Sequence, residues 1–222
     1  MRGAFAAESD RVLRIDVDGG VWIKPGTAIA YRGDLAFERL PTTEARSLDQ
    51  IAVREMSPLV RAAGRGRLYC ADRGAHVRVL ELHGESVVVA ARDLLAFESS
   101  LTFEMSLLGH GLGIAAGGLI VAALSGEGAF AIATHGETLR LEVTPGDPVN
   151  TDPHATVAWS SGLTPVLRTD LSWRSLIGHG GRQPVQMHFE GTGLIIVQPH
   201  KDASRVAALE DPVGAVARLF ME

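Results

Sequence analysis

His110, His179 and His188, together with Arg65 and Arg67, are the side chains in this 222-residue chain whose types and spacing offer chemistry. His110 and His179 each lie between glycines, in SLLGHGLG at 106–113 and SLIGHGGR at 175–182. Imidazoles in such loops suit metal ligation or proton transfer, and His188, in QMHFEG, offers a further ring. A metal centre also needs additional ligands and outer partners that orient the rings. No His-x-His or His-x-x-x-His spacing supplies them, and the first part of the chain has no matching loop. The two glycine-flanked histidines therefore read first as turn residues. A metal-dependent enzyme or metal-binding protein is the alternative, and no resident metal or cofactor is expected.

Arg65 and Arg67 are two apart, so on a strand they point the same way and could touch phosphate. The formal net charge of −5 argues against nucleic acid, which calls for a surplus of clustered cations. A solvated sheet face is the simpler expectation for the pair, with nucleic-acid binding a second alternative. Asp147 and Asp152 in PGDPVNTDPH are turn formers before they are a carboxylate pair. GHGLGIAAGG lacks the Lys-Ser/Thr ending of a phosphate loop, and no G-x-S-x-G elbow occurs. With no coherent catalytic set, the chain reads as a binding or assembly module rather than an enzyme.

The elements that would position these groups are strands. VRVLEL, SVVVAA, LRLEV, GLIIV and VWI are short β-branched runs separated by DRG, HGE, THGE and PGD turns. The stretch from Gly64 aligns without gaps with the stretch from Gly126. Gly64, Gly66 and Gly84 fall on Gly126, Gly128 and Gly146, and Phe97 falls on Trp159. A partial earlier copy places Gly26 beside Gly84 and Phe37 beside Phe97, and a last G-x-G strand opens at Gly191 and Gly193. Recurrent glycines imply positive-φ turns or close backbone approaches. The aromatics Trp22, Tyr31, Phe37, Phe97 and Trp159 are expected to fill a common core.

These features predict a single all-β domain over residues 1–200. Its three internal repeats, about 12–63, 64–125 and 126–200, would close into a pseudo-threefold barrel or sandwich-like ring, with the last strand completing the first repeat. A C-terminal tail over 201–222 follows, in which Asp211, Pro212, Val213, Val216, Ala217 and Phe220 predict a short helix.

DGGVWIKPGTAIAYRGDLAFE, the G-x-G openings at Gly64, Gly126 and Gly191, the PGD at 145–147, VAWSSGL and GTGLIIVQP resemble the altered-inheritance-of-mitochondria family, number twenty-four, over roughly residues 10–200. The resemblance implies a bacterial member with an all-β fold like that of the tryptophan RNA-binding attenuation protein. It also implies kinship with mitochondrial proteins associated with inner-membrane organisation. It brings no catalytic residues to this sequence, and the attenuator's tryptophan and RNA sites have no motif here to receive them.

The segment 107–124 is uncharged, glycine-rich and long enough to raise the question of a membrane span. Its counterpart in the next repeat contains the polar RQPVQMHFEG, which favours a soluble strand. It is nevertheless the first candidate for contact with a protein partner or a peripheral membrane surface. Self-association is expected. The single Cys70 reads as a buried thiol, and the N-terminus lacks the apolar core of a secretory signal, so a cytoplasmic location is expected.

Overall fold

The computed structural model describes residues 4–39, 59–108, 119–169 and 185–199, and every regular element in them is a β-strand. The predicted C-terminal helix lies outside these residues.

The first strand group contains β2 (Val12–Ile23), β3 (Ala28–Arg39) and β4 (Val60–Cys70), preceded by β1 (Phe5–Ser9). β4 is central and antiparallel to both neighbours, with Ile23 and Arg39 flanking Val60 at one end and Leu13 and Ala28 flanking Cys70 at the other. The second group contains β5 (His76–Ala90), β6 (Leu94–Glu98), β7 (Thr102–Leu107) and β8 (Ile120–Thr134). Here β8 is central, paired with β5 on one side and with β6 and β7 on the other.

The third group contains β9 (Leu139–Val143), β10 (Val149–Thr151), β11 (Thr156–Ser160), β12 (Val166–Thr169), β13 (Val185–Phe189) and β14 (Gly193–Val197). β13 lies between β10 and β12, and β14 between β9 and β11. The first two groups each have one central strand, whereas the third divides its strands between a three-stranded sheet centred on β13 and the large sheet, where β14 lies between β11 and β9.

Hydrophobic alternation explains why these segments are strands. In β2, Leu13, Ile15 and Val17 are buried while Arg14 and Asp16 face outward. The buried residues form three clusters, each drawing on neighbouring groups: Ala129 and Ala131 of β8 pack with Leu13 and Ile15, and Val121 packs with Trp159 and Met187. Cys70 is fully buried, and burial pushes its thiol up to about 12 from an ordinary 9.0.

Two short junctions stitch the groups together. At the first, Val21, Trp22 and Ile23 of β2 pair with Glu98, Phe97 and Ala96 of β6. At the second, Val87, Val88 and Val89 of β5 pair with Ser160, Trp159 and Ala158 of β11. The path of the large sheet runs from β3 at one end to β9 at the other, and the described strands do not close into a barrel. This corrects the closed ring expected from the sequence. The final G-x-G strand, β14, pairs with β11 and β9 rather than with the first group.

The glycine alignment also shifts. Gly26 occupies a turn, and it is Gly19 that lies opposite Gly64 in the β2–β4 ladder. Gly64, Gly126 and Gly191 have φ of 124°, 114° and 120°, and Gly26, Gly84 and Gly146 have 75°, 102° and 88°. At Gly64 a Cβ would stand 2.1 Å from the carbonyl oxygen of Asp34, and at Gly66 one would stand 2.3 Å from that of Arg32. Close passage of β3 over β4 thus excludes any side chain at these two positions.

Candidate functional site

The β2–β4 ladder decides the chemistry of the arginine pair. Register places Asp16 opposite Arg67 and Asp18 opposite Arg65. Arg67 Nε donates to Asp16 Oδ1 at 2.5 Å, and Arg65 Nε to Asp18 Oδ1 at 2.9 Å. Arg14 continues the ladder, donating to Glu8 Oε2 at 3.0 Å. Cation and carboxylate alternate across the face, so it presents paired charges instead of a field that would attract phosphate.

His188 lies in β13 and is buried. Its cross-strand partner is Asn150 of β10. Nδ1 is 2.7 Å from Asn150 Oδ1, and Nε2 is 2.7 Å from Glu190 Oε1. The hydrogen bond from His188 holds the Glu190 carboxyl below the usual carboxylate range, and Arg168 Nη2 stands 3.9 Å from the same oxygen. Both imidazole nitrogens are engaged by protein groups, which fixes the ring within the small sheet of β10, β13 and β12. Among the described residues, no group of three or more His, Cys, Asp or Glu could hold a metal ion. His110 and His179 lie outside the described residues. Glu190 was legible as a partner, being two residues beyond His188; Asn150 was not, because it is joined only by strand register.

A polar chain that the sequence did not announce links the three groups near their turns. Lys24 Nζ donates to Asp72 Oδ2 at 2.5 Å and to the carbonyl of Arg92. Arg92 Nη2 in turn donates to the carbonyls of Pro153 and Thr156 at 2.7 and 2.9 Å. Gln198 Nε2 donates to Asp93 Oδ1 at 3.1 Å, tying the end of the third group to the second. These bonds fasten one turn to the next and explain why charged residues occupy half-buried positions there.

Of the segment 107–124, the described ends are strand. Leu119, Ile120, Val121, Ala122 and Leu124 are buried in β8 or at its start, which fits an inner strand and corrects the contact surface favoured from the sequence for these residues. No described helix is long and apolar enough to cross a membrane.

Exposed apolar surface instead gathers on β3. Phe97 and Trp159, aligned in the sequence, are 0% and 2% exposed, whereas Phe37, aligned with both, is 40% exposed. Tyr31 and Ile29 on the same strand are 56% and 58% exposed, and Tyr31 meets Phe37 edge to face with ring centroids 5.2 Å apart. The common-core expectation therefore fails for Tyr31 and Phe37. The cause is visible in the pairing: Phe97 is crossed by Trp22 of β2 and Trp159 by Val88 of β5, while β3 pairs only with β4 among the described strands.

A family model described as mitochondrial biogenesis AIM24 matches residues 5–200. The chain belongs to the AIM24 family. This AIM24-family chain is also similar to a Streptococcus pyogenes protein whose X-ray structure was determined by a structural genomics consortium. The two share 19% identity with a TM-score of 0.70, over 94% of this chain and 98% of that one. At that identity the likeness shows the fold alone. A comparison with curated proteins finds no match.

Proposed function

We propose that this AIM24-family protein is a cytoplasmic, non-enzymatic assembly scaffold that self-associates and in that form contacts a protein partner or a peripheral membrane surface. The observation that carries this reading is β3, a twelve-residue edge strand with Ile29, Tyr31 and Phe37 exposed. Long apolar edges are templates for pairing, and soluble proteins keep them covered or charged. The three strand groups are taken as pseudo-threefold equivalents of an attenuation-protein-like fold, which gives the scaffold a repeated, rigid surface. A family description that names a biogenesis process rather than a reaction is in keeping with such a role.

Light scattering on the purified chain across a dilution series tests it. A mass that is a fixed multiple of the 23.6 kDa chain supports the scaffold. A monomer at every concentration overturns it.

A further inference from the structure

The open edge can be given a partner by following the pairing rule that the chain already uses twice. At each internal junction the late part of an outer strand lies antiparallel on the aromatic strand of the next group. The first junction pairs Val21, Trp22 and Ile23 with Glu98, Phe97 and Ala96. The second pairs Val87, Val88 and Val89 with Ser160, Trp159 and Ala158.

A third junction of this kind would pair β10 with β3. Val149 and Thr151 of β10 lie opposite Phe189 and Met187 of β13, as Val87 and Val89 lie opposite Leu124 and Ala122 of β8. Tyr31 of β3 takes the place of Phe97 and Trp159: it lies opposite Leu68, as they lie opposite Phe130 and Ile195, in each case four residues beyond the first glycine of the G-x-G, whereas Phe37 lies opposite Ala62 as Phe103 lies opposite Leu124. Neither half of that junction is made within the described chain: β10 pairs only with β13, and β3 only with β4. Among the described residues, these two unfilled edges therefore match by the same rule.

We infer that β3 of one copy pairs antiparallel with β10 of a second copy, with Val149 opposite Arg32, Asn150 opposite Tyr31 and Thr151 opposite Ala30. This deepens the assembly reading above and rests on it. The contact would cover Tyr31, 56% exposed in the single chain, as Trp22 covers Phe97. It also joins unlike edges, so each copy both offers β3 and uses β10. Such a head-to-tail contact closes into a ring of fixed size or continues as a fibre.

Paired cysteine variants test the register. Asn150→Cys and Tyr31→Cys are prepared separately, mixed and oxidised; Cys70, fully buried, stays out of the exchange. The inference predicts a disulfide-linked pair of chains in the mixture, and little or none in either preparation alone. As an independent measure, Tyr31→Arg is expected to lower the native mass to that of a single chain while the far-ultraviolet circular dichroism is retained, since the residue is exposed in the isolated fold.

A cross-link inside one chain of the double variant would overturn the inference, because the two edges would then meet within the molecule. An oligomer that neither cross-links nor responds to Tyr31→Arg would overturn it too, while leaving self-association through another surface. A native monomer would remove both readings at once.

Discussion

Phe97 and Phe37 align in the sequence, yet one is sealed and the other lies open. Around Phe97, Trp22 stacks at 6.4 Å and Phe103 approaches edge-on at 5.1 Å between centroids. Phe37 has Tyr31 at 5.2 Å, itself exposed. The residue type is the same, so composition does not set the difference. Whether another strand crosses the aromatic does. On β3 the aromatics are left uncovered among the described residues, which is why β3 is proposed as an assembly edge.

The sharpest way to break the comparison is to truncate both aromatics. Phe97→Ala removes a fully buried ring and is expected to cost about 3–5 kcal/mol of stability, read by chemical denaturation. Phe37→Ala in dilute, dissociated protein should cost less than about 1 kcal/mol, because the ring is 40% exposed there. Equal losses would show that the two positions are alike after all.

Next in size is the crossing that holds β3 in place. Gly64→Ala puts a methyl group against the Asp34 carbonyl at a φ of 124°, and should destabilise the fold by about 2–3 kcal/mol in the same assay. An Ala tolerated within about 0.5 kcal/mol would mean that β3 does not pass this close to β4.

The thiol gives a pH-dependent check. Cys70 has its pKa raised, so the folded chain favours the neutral thiol. The stability this contributes is complete below about 9.0 and is lost as pH rises towards about 12. Denaturation midpoints should fall faster over that window in the parent than in Cys70→Ala. At neutral pH the native thiol should resist a disulfide reagent that labels it readily after unfolding.

The smallest effect is expected on the arginine face. Arg65 and Asp18 are exposed, and replacing either by Ala should change stability by about 0–1 kcal/mol. Filter binding should show no steeply salt-dependent affinity for DNA or RNA in the parent, whereas such an affinity, lost in Arg65→Ala, would revive a nucleic-acid face.

Much of this architecture was legible before any coordinates. β-Branched runs and turn glycines announced strands, because alternation and positive φ are local properties that the chain writes residue by residue. Ring closure was not legible, since which strand pairs with which depends on loop geometry. β14 joins its own group although its G-x-G opening resembles that of β4 and β8 equally well. The same limit applies at the sites. His188 could be picked out by type, but Asn150 and the Asp partners of Arg65 and Arg67 become visible only through cross-strand register. The aromatic repeat read as uniform core because sequence similarity carries no information on what lies above a side chain.

Amide hydrogen exchange of the peptide covering residues 30–32, compared with peptides covering 96–98 and 158–160, tests the central claim most directly. If β3 is covered by a second copy, its outward amides should be as protected as those of β6 and β11 in concentrated protein, and should lose that protection on dilution while the other two keep theirs. Rapid exchange along β3 at every concentration would contradict the account.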